Sequence, residues 1–219
     1  MNATSDVVFM NTSKNADDIW GDFTFENVSF DYDETDGFEE YALKDVYLHI
    51  KEGEFVGIIG STSSGKSTLV NLIPRFYDPT SGKVLLDCVD IRNYNEATLR
   101  KNISIVLQSA TLFSGTVKSN IVQVDLDAVE DDITRAAKIA QAKEFIDRLP
   151  ENYESIVYQR GNNLSGGQKQ RISIARGLAG NPRILILDDS TSALDAKSES
   201  LVKKALNREL KNTTTIMVA

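Results

Sequence analysis

Short apolar runs alternate along this chain with stretches of helical periodicity. Residues 23–32, FTFENVSFDY, alternate apolar and polar positions and predict a strand, and a second strand is predicted at residues 42–50. Residues 55–59 predict an apolar strand, and the apolar runs at residues 103–107 and 183–188 predict short buried strands of a parallel sheet. We therefore expect an α/β fold in which a small antiparallel flap precedes a parallel sheet.

Helical periodicity with charged faces covers residues 116–149 and ends at Pro150. We interpret this part of the chain as a separate helical lobe, at about residues 112–165. Asn95 is expected to cap a short helix, NEATLRKN, and an amphipathic helix is predicted over residues 198–211. Strands that alternate with helices predict helices on both faces of the sheet and ligands at the carboxyl ends of its strands.

Four further segments complete the pattern. Residues 83–91, KVLLDCVDI, predict one more strand, and residues 213–219, TTTIMVA, begin another strand where the sequence given stops. Because that strand should complete the sheet, we expect a fragment with a truncated C-terminal end. Residues 1–21 are polar and predict a linker or disordered arm, and residues 31–40, DYDETDGFEE, predict an acidic loop with a turn.

Composition narrows the possible partners. The net charge is −8 and no Lys/Arg stripe stands out, which argues against nucleic acid as a ligand. The single cysteine, Cys88, excludes an internal disulfide and is interpreted as a small buried hydrophobic residue. No apolar run approaches the ~20 residues that span a bilayer, so a membrane role would need a partner or a segment outside this sequence.

The clearest chemistry lies in a Gly/Ser-rich loop between an apolar strand and a helix, FVGIIGSTSSGKSTL, which matches G-x-x-x-x-G-K-S/T. Such a loop directs unpaired backbone N–H groups and the positive end of the helix dipole at one point, where a triphosphate fits. Lys66 would place its ammonium between the β- and γ-phosphates, and the Ser67 hydroxyl would coordinate Mg²⁺. The predicted nucleotide contacts of the loop are Gly60, Ser61, Thr62, Ser63, Ser64, Gly65, Lys66, Ser67 and, as an accessory contact, Thr68.

Further motifs surround this loop in a fixed order. FENVSFDY precedes it, and VLQSATLFSGT, LSGGQKQR, ILILDDSTSALD and TTTIMVA follow it. With these motifs, residues 22–219 resemble the nucleotide-binding domain of ATP-binding cassette (ABC) transporters. The resemblance implies a phosphate-loop NTPase core of the RecA-like type, with an N-terminal antiparallel β flap and an inserted helical subdomain. LFSGTVKSNI is similar to the exporter type, in which this domain is fused behind a membrane domain.

The resemblance implies ATP and Mg²⁺ as cofactors and gives roles to residues outside the loop. Asp188 would anchor Mg²⁺ together with Ser67 and Gln108. Gln108 would also touch the attacking water and report the γ-phosphate to the helical lobe, or else it is a buried amide that caps a turn. Tyr32 would stack on the adenine ring, or else it packs on the flap. The catalytic set would be Lys66, Gln108 and Asp189.

The LSGGQ segment would act on a partner domain. In the family, two domains close head to tail, so that Ser165, the backbone N–H groups of Gly166 and Gly167, and Gln168 would meet the γ-phosphate held by the other domain. Residues 192–195, SALD, would lie across the seam between the domains. As a plain turn that starts a helix, SALD would have no such role.

The sequence departs from the family pattern at several positions. Asp189 stands where the family usually has the glutamate that polarises water, and a misplacement of about 1 Å can cost on the order of a hundredfold in rate. Ser63 stands where glycine is usual, which would weaken or reshape the loop if that position needs a positive φ. Gln159 replaces a common glutamate near the membrane-domain contact. The family's switch histidine would follow Ala219, and the only histidine, His49, is interpreted as an ordinary strand residue.

With Asp189, the chain resembles the slow half of heterodimeric exporters. We predict an ATPase motor of an ABC exporter that pairs with a second nucleotide-binding domain, as a heterodimer rather than a homodimer of two slow sites. It would lie at the cytoplasmic face of a membrane, held by a transmembrane domain. One alternative is a nucleotide-dependent dimerisation or regulatory module with negligible hydrolysis. Another, a DNA-repair or translation cassette, would need a coiled-coil insertion or a second cassette that this sequence does not contain.

Overall fold

The computed structural model describes residues 19–32 and 41–219, so most of the predicted arm and the predicted acidic loop lie outside the described residues. The strands are β1 (Phe23–Phe30), β2 (Leu43–Ile50), β3 (Phe55–Ile58), β4 (Ser81–Leu86), β5 (Val89–Asp90), β6 (Ile103–Val106), β7 (Gly115–Thr116), β8 (Ile156–Val157), β9 (Ile184–Asp188) and β10 (Thr214–Val218). The α-helices are α1 (Lys66–Leu72), α2 (Glu96–Asn102), α3 (Val117–Ile121), α4 (Glu130–Ile139), α5 (Lys143–Ile146), α6 (Gly166–Ala179) and α7 (Ala196–Glu209). Short 3₁₀ turns lie at Ile91–Asn93, Val122–Val124, Asn152–Glu154 and Gln159–Gly161.

The antiparallel sheet has the strand order β2-β1-β4-β5. Phe25 of β1 lies opposite Leu48 of β2 on one side and Val84 of β4 on the other. The flap predicted before the phosphate loop is therefore confirmed. The antiparallel sheet also contains β4 and β5, which come after α1 in the chain. The edge of β1 that faces away from β2 pairs with β4.

The prediction of one strand over residues 83–91 is wrong, because β4 and β5 form a hairpin around Asp87 and Cys88. Both residues have positive φ, 49° and 62°, as a two-residue hairpin turn requires. The Asp87 carboxylate accepts hydrogen bonds from the consecutive backbone N–H groups of residues 20–22, at 2.8, 3.0 and 2.9 Å. Cys88 at the tip of the turn is exposed rather than buried.

The parallel sheet has the strand order β3-β10-β9-β6, which confirms the predicted parallel strands. Residues 184–187 of β9 are buried as predicted, whereas β6 and the edge strand β3 are only partly covered. Val218 lies opposite both Ile58 and Asp188, and Val106 lies opposite Leu187. All four strands run in the same direction, so their carboxyl ends meet at one edge of the sheet.

The parallel sheet separates two apolar cores. In β9, Leu185 and Leu187 face a core built with α3 to α7, whereas Ile184 and Ile186 face a core built with the antiparallel sheet, α1 and α2. All four side chains are fully buried. Burial on both faces is the reason why this strand is a continuous apolar run rather than an alternating one.

Side-chain caps mark the starts of α2 and α7. Asn95 accepts a hydrogen bond from the Thr98 N–H at 2.7 Å, which confirms the predicted cap of α2. Asp195 caps α7 in the same way, so that helix begins before residue 198.

The division into an arm, a domain and a helical lobe at 112–165 stays a prediction. No helix in the described ranges is long and apolar enough to cross a membrane.

Candidate functional site

The phosphate loop connects β3 to α1, and its residues 60–64 are exposed. The Lys66 ammonium donates hydrogen bonds to the carbonyl oxygens of Gly60, at 2.7 Å, and Ser61, at 2.9 Å. These bonds fold the lysine side chain back across the loop. The positive charge is thus held beside the backbone turn that the motif predicts as the phosphate cradle.

The loop depends on unusual backbone conformations. Gly65 has a φ of 83°, and a Cβ on it would lie 2.6 Å from the Ala42 carbonyl oxygen, so only glycine fits there. Ser63 also has a positive φ, 65°. A non-glycine residue in this region costs roughly 1–2 kcal/mol, so the serine strains the loop at the position where the family usually has glycine.

The carboxyl edge of the parallel sheet brings the other predicted residues to the loop. Asp188 is the last residue of β9, and Gln108 follows the end of β6. The Gln108 Nε2 donates a hydrogen bond of 2.5 Å to the Asp189 carboxylate. Gln108 is exposed, so it is not the buried turn cap that was the alternative.

Asp189 is held by its backbone as well as by Gln108. Its N–H donates to the Val218 carbonyl oxygen at 3.1 Å, and its φ is 46°. Aspartate accepts this left-handed conformation more readily than most residues do. The sheet therefore holds the backbone of Asp189, and the Gln108 amide holds its carboxylate, the group that would activate water.

The pKa of Asp188 lies above its ordinary value. Burial raises it first, the neighbouring Asp189 carboxylate raises it further, and the Lys66 ammonium lowers it in part. The ionised form of Asp188 is thus disfavoured by its surroundings until a cation approaches. A carboxylate of this kind suits a metal ligand.

We expect Asp188→Asn to raise the melting temperature of the nucleotide-free protein by a few degrees at pH 7. Between its ordinary pKa of 3.8 and the raised folded-state pKa, the native chain binds more protons than the unfolded chain, so stability falls as pH rises through this window. Scanning calorimetry in chelator would measure the gain, which should vanish at about pH 4 as wild-type Asp188 becomes protonated.

The matched control is Asp90→Asn. Burial raises the pKa of Asp90, but hydrogen bonds and charge from Arg92 outweigh burial and lower it overall. Its substitution should therefore lower the melting temperature at pH 7. A fall in both variants would show that the charge of Asp188 does not oppose folding.

Tyr32 lies in a cluster of three aromatic rings. It meets Phe30 and Tyr77 edge-on, at 4.8 and 5.5 Å between ring centroids, and its hydroxyl is 3.0 Å from Thr68 Oγ1. The ring is still 45% exposed. It thus packs on the flap and yet keeps aromatic surface for a planar ligand close to α1.

The LSGGQ segment starts α6 and forms a capping box. Ser165 Oγ accepts from the Gln168 N–H at 3.2 Å, and Gln168 Oε1 accepts from the Ser165 N–H at 2.9 Å. Gln168 therefore has a local structural use that the sequence prediction did not include. Within the described ranges, no hydrogen bond joins residues 164–168 to the phosphate loop.

Sequence reasoning missed two other features of the site. Gln108 and Asp189 were predicted separately, and their direct contact spans 81 positions of sequence. Tyr77 joins the Tyr32 cluster from the turn after α1, where no periodic pattern marks it. The only sequence signal for the contact between Gln108 and Asp189 is that a polar residue follows each of the two predicted strands.

The donor set suits a magnesium ion that is bound together with a nucleotide. In the part of the chain that the structure describes, no group of three or more His, Cys, Asp or Glu residues could hold a metal ion alone. Asp188, with the Ser67 hydroxyl and the Gln108 amide oxygen, would supply three hard oxygen ligands at most. Mg²⁺ usually combines one or two carboxylates with phosphate oxygens and water.

The family model described as "ABC transporter" matches residues 43–192. The chain is 50% identical over 204 residues to the putative multidrug export ATP-binding/permease protein YgaD of Bacillus subtilis (strain 168), covering 93% of this chain and 35% of that protein. It is 48% identical over 199 residues to a putative multidrug export ATP-binding/permease protein of Staphylococcus aureus (strain NCTC 8325 / PS 47), covering 91% of this chain and 34% of that protein.

A solved structure of a bacterial Atm1-family ABC exporter with ATP bound is also similar to this chain. The TM-score is 0.83 at 36% identity, and the match covers 98% of this chain and 36% of that chain. The chain thus spans about a third of the length of these curated relatives and of this exporter.

Proposed function

Because the chain belongs to the ABC transporter family, we propose that it is the ATP-binding and ATP-hydrolysing motor domain of an exporter. ATP binding would close two such domains head to tail, and hydrolysis would let them open. The observation that supports this most directly is the meeting of the phosphate loop, Asp188 and the Gln108–Asp189 pair at one edge of the parallel sheet.

The residues of this chain divide the work on Mg-ATP. Lys66 and the backbone N–H groups of the loop bind the β- and γ-phosphates, and Tyr32 stacks on the adenine. Asp188 and Ser67, with the Gln108 amide oxygen, would hold Mg²⁺, and the bound ion would supply positive charge beside the transferring phosphoryl group. Asp189 orients the attacking water and accepts its proton, while the Gln108 amide holds the Asp189 carboxylate.

Hydrolysis at this site should be slow. The Asp189 carboxylate is one methylene shorter than the usual glutamate, so it reaches less far toward the attacking water. A nucleotide-dependent dimerisation module with negligible hydrolysis is the second candidate function, and the same short carboxylate favours it. Turnover at this site separates the two.

The glycines of LSGGQ support action on a partner. A Cβ on Gly166 would meet nothing within 4 Å, and one on Gly167 would meet nothing closer than 3.5 Å. Nothing in the described part of the chain therefore requires glycine at these positions, although glycine is a poorer helix former than alanine. Close approach of a partner's phosphate to the backbone N–H groups would require it.

The remaining partners follow from the relatives. Proteins named as export ATP-binding/permease proteins match this chain over about a third of their length. We infer that a transmembrane domain holds this domain at the cytoplasmic face of a membrane. A heterodimer fits better than a homodimer, because the intact LSGGQ segment would complete a competent site on a partner.

The head-to-tail arrangement predicts an unusual variant. Gly166→Ala should increase the free energy of unfolding by up to about 1 kcal/mol, because alanine is the better helix former and the added Cβ meets open space. The same change should weaken ATP-dependent dimerisation by about tenfold, since a methyl group costs a close phosphate contact more than 1 kcal/mol. Denaturant unfolding and sedimentation velocity, with and without Mg-ATP and the partner domain, would measure both.

Gly180→Ala at the other end of α6 is the control. A Cβ there would lie 3.5 Å from its nearest neighbour, an ordinary contact, so dimerisation should be unchanged. Equal dimerisation by the Gly166 and Gly180 variants would rule out the role of LSGGQ on a partner. It would leave ATP binding by the phosphate loop untouched.

A further inference from the structure

Residues 109–113, which follow Gln108, form a connection without regular structure. In the described part of the chain they make no backbone-to-backbone hydrogen bond outside the sheets and helices. Their position therefore depends on side chains from neighbouring elements. Gln108 lies at the start of this connection, so whatever holds the connection also sets where its amide can reach.

Asn120 of α3 holds the far end of the connection. Its side chain is 2% exposed. Asn120 Oδ1 accepts from the Phe113 N–H at 2.9 Å, and Nδ2 donates to the carbonyl oxygens of Phe113 at 2.8 Å and Thr116 at 3.0 Å. The asparagine thus pairs with both backbone groups of Phe113, as a neighbouring strand would.

Arg176 of α6 completes the arrangement. Its Nε donates to the Asn120 carbonyl oxygen at 2.8 Å, its Nη2 to Asn120 Oδ1 at 2.9 Å and its Nη1 to the Thr111 carbonyl oxygen at 3.0 Å. The guanidinium also lies over the Phe113 ring, 5.6 Å from its centroid. All three hydrogen-bond acceptors are neutral, and burial lowers the pKa of Arg176.

The same helix also holds the near end of the connection. Gln170 of α6 is 1% exposed, and its Nε2 donates to the Leu107 carbonyl oxygen at 3.2 Å. The Leu107 carbonyl oxygen, just before the connection, and the Thr111 carbonyl oxygen within it thus both accept hydrogen bonds from α6, the helix that begins with LSGGQ. Gln108, between the two ties, reaches Asp189.

We propose that Arg176 and Asn120 are positioning residues, which place the Gln108 amide against Asp189 and couple that contact to the helix that carries LSGGQ. This role rests on the proposed function. A planar guanidinium can donate to three carbonyl-type oxygens at once, whereas a lysine ammonium keeps the charge without the fork geometry. Any displacement of α6 by a partner domain would then move the connection and with it Gln108.

Arg176→Lys tests the proposal through a double-mutant cycle with Gln108→Ala. ATP turnover would be measured in the full-length natural protein with its partner, whose own site is silenced by a Glu→Gln change. We expect Arg176→Lys to lower kcat by about tenfold, with the KM for ATP changed less than about twofold, because only the position of Gln108 changes. In the Gln108→Ala background the same change should have no further effect.

A merely structural arginine would give another pattern, with the two losses in kcat multiplying, and that result would overturn the proposal. If the lysine variant is not recovered folded, Asn120→Asp enters the same cycle. It keeps an acceptor for Arg176 and for the Phe113 N–H, but it loses the donors to the carbonyl oxygens of Phe113 and Thr116.

Hydrogen exchange provides a readout that does not need turnover. Arg176→Lys should speed exchange of the Phe113 amide, whose N–H donates to Asn120 Oδ1, by about tenfold or more, while residues 60–66 of the phosphate loop stay unchanged. Exchange that rises equally along the chain, or not at all at the Phe113 amide, would contradict the proposal. A wild-type protein that binds but does not hydrolyse ATP would refute the proposed hydrolysis, and the exchange experiment would still test Arg176 and Asn120.

Discussion

Replacing Asp189 with glutamate is expected to raise ATP turnover at this chain's own site by about tenfold or more. Asp189 directly follows Asp188, the proposed metal ligand, and its carboxylate accepts a hydrogen bond from Gln108. It carries the same charge as the usual glutamate but is one methylene shorter. The added methylene would move the carboxylate about 1 Å closer to the attacking water. A displacement of about 1 Å from the productive position can cost on the order of a hundredfold in rate. The gain in rate would have a small cost in stability, because the φ of 46° suits aspartate better than glutamate.

The measurement is steady-state hydrolysis by the full-length protein with its partner at saturating Mg-ATP, with the partner's site silenced by Glu→Gln. Asp189→Asn is the matched control, since it keeps the length and removes the charge, and it should lower turnover further. If Asp189→Glu changes nothing, the absolute wild-type rate decides the interpretation. A substantial rate means that Asp189 suffices, and the slow-site proposal fails. A negligible rate means that the site is disabled elsewhere, which favours the dimerisation module.

Lys66→Ala should weaken ATP binding by about a hundredfold and abolish measurable hydrolysis at this site. The change removes a charge worth about 2–3 kcal/mol in charge-assisted hydrogen bonds to phosphate. It also removes the two hydrogen bonds that Lys66 donates to the Gly60 and Ser61 carbonyl oxygens. Calorimetric titration with Mg-ATP and the hydrolysis assay would measure the two effects separately.

Lys211→Ala is the control for this prediction, because Lys211 is exposed and lies near Gly53 at the amino edge of the parallel sheet, opposite the edge that carries the phosphate loop. It removes the same charge from the chain and should leave ATP affinity unchanged. ATP binding by Lys66→Ala within a few-fold of wild type would contradict the assignment of the loop as the nucleotide site. It would also remove the main support for both candidate functions.

Local signals predicted the fold well where the residues that specify an element lie within it or next to it. Asn95 was predicted to cap α2, and its side chain does so. The continuous apolar run of β9 predicted burial on both faces, and its residues do face two cores. In each case the information lies within a few residues of the element that it specifies.

The hairpin at Asp87 and Cys88 shows where local reasoning failed. Its two strands read as one apolar run, because the turn residues carry no glycine or asparagine. The turn is stabilised by the Asp87 carboxylate, which binds backbone N–H groups more than sixty positions earlier in the chain. A contact at that separation leaves no periodic mark in the sequence, so the break between β4 and β5 was not predictable.

The sequence by itself determined the phosphate loop, the carboxylates after a buried strand, the LSGGQ motif and the family to which they belong. Motif spacing and strand periodicity are local properties of the chain and survive without coordinates. Only the tertiary structure decided that Gln108 contacts Asp189 and that Arg176 and Asn120 hold the connection beside it. Those contacts depend on the strand order β3-β10-β9-β6 and on the packing of α6 against β6, which bring together side chains that are distant in sequence.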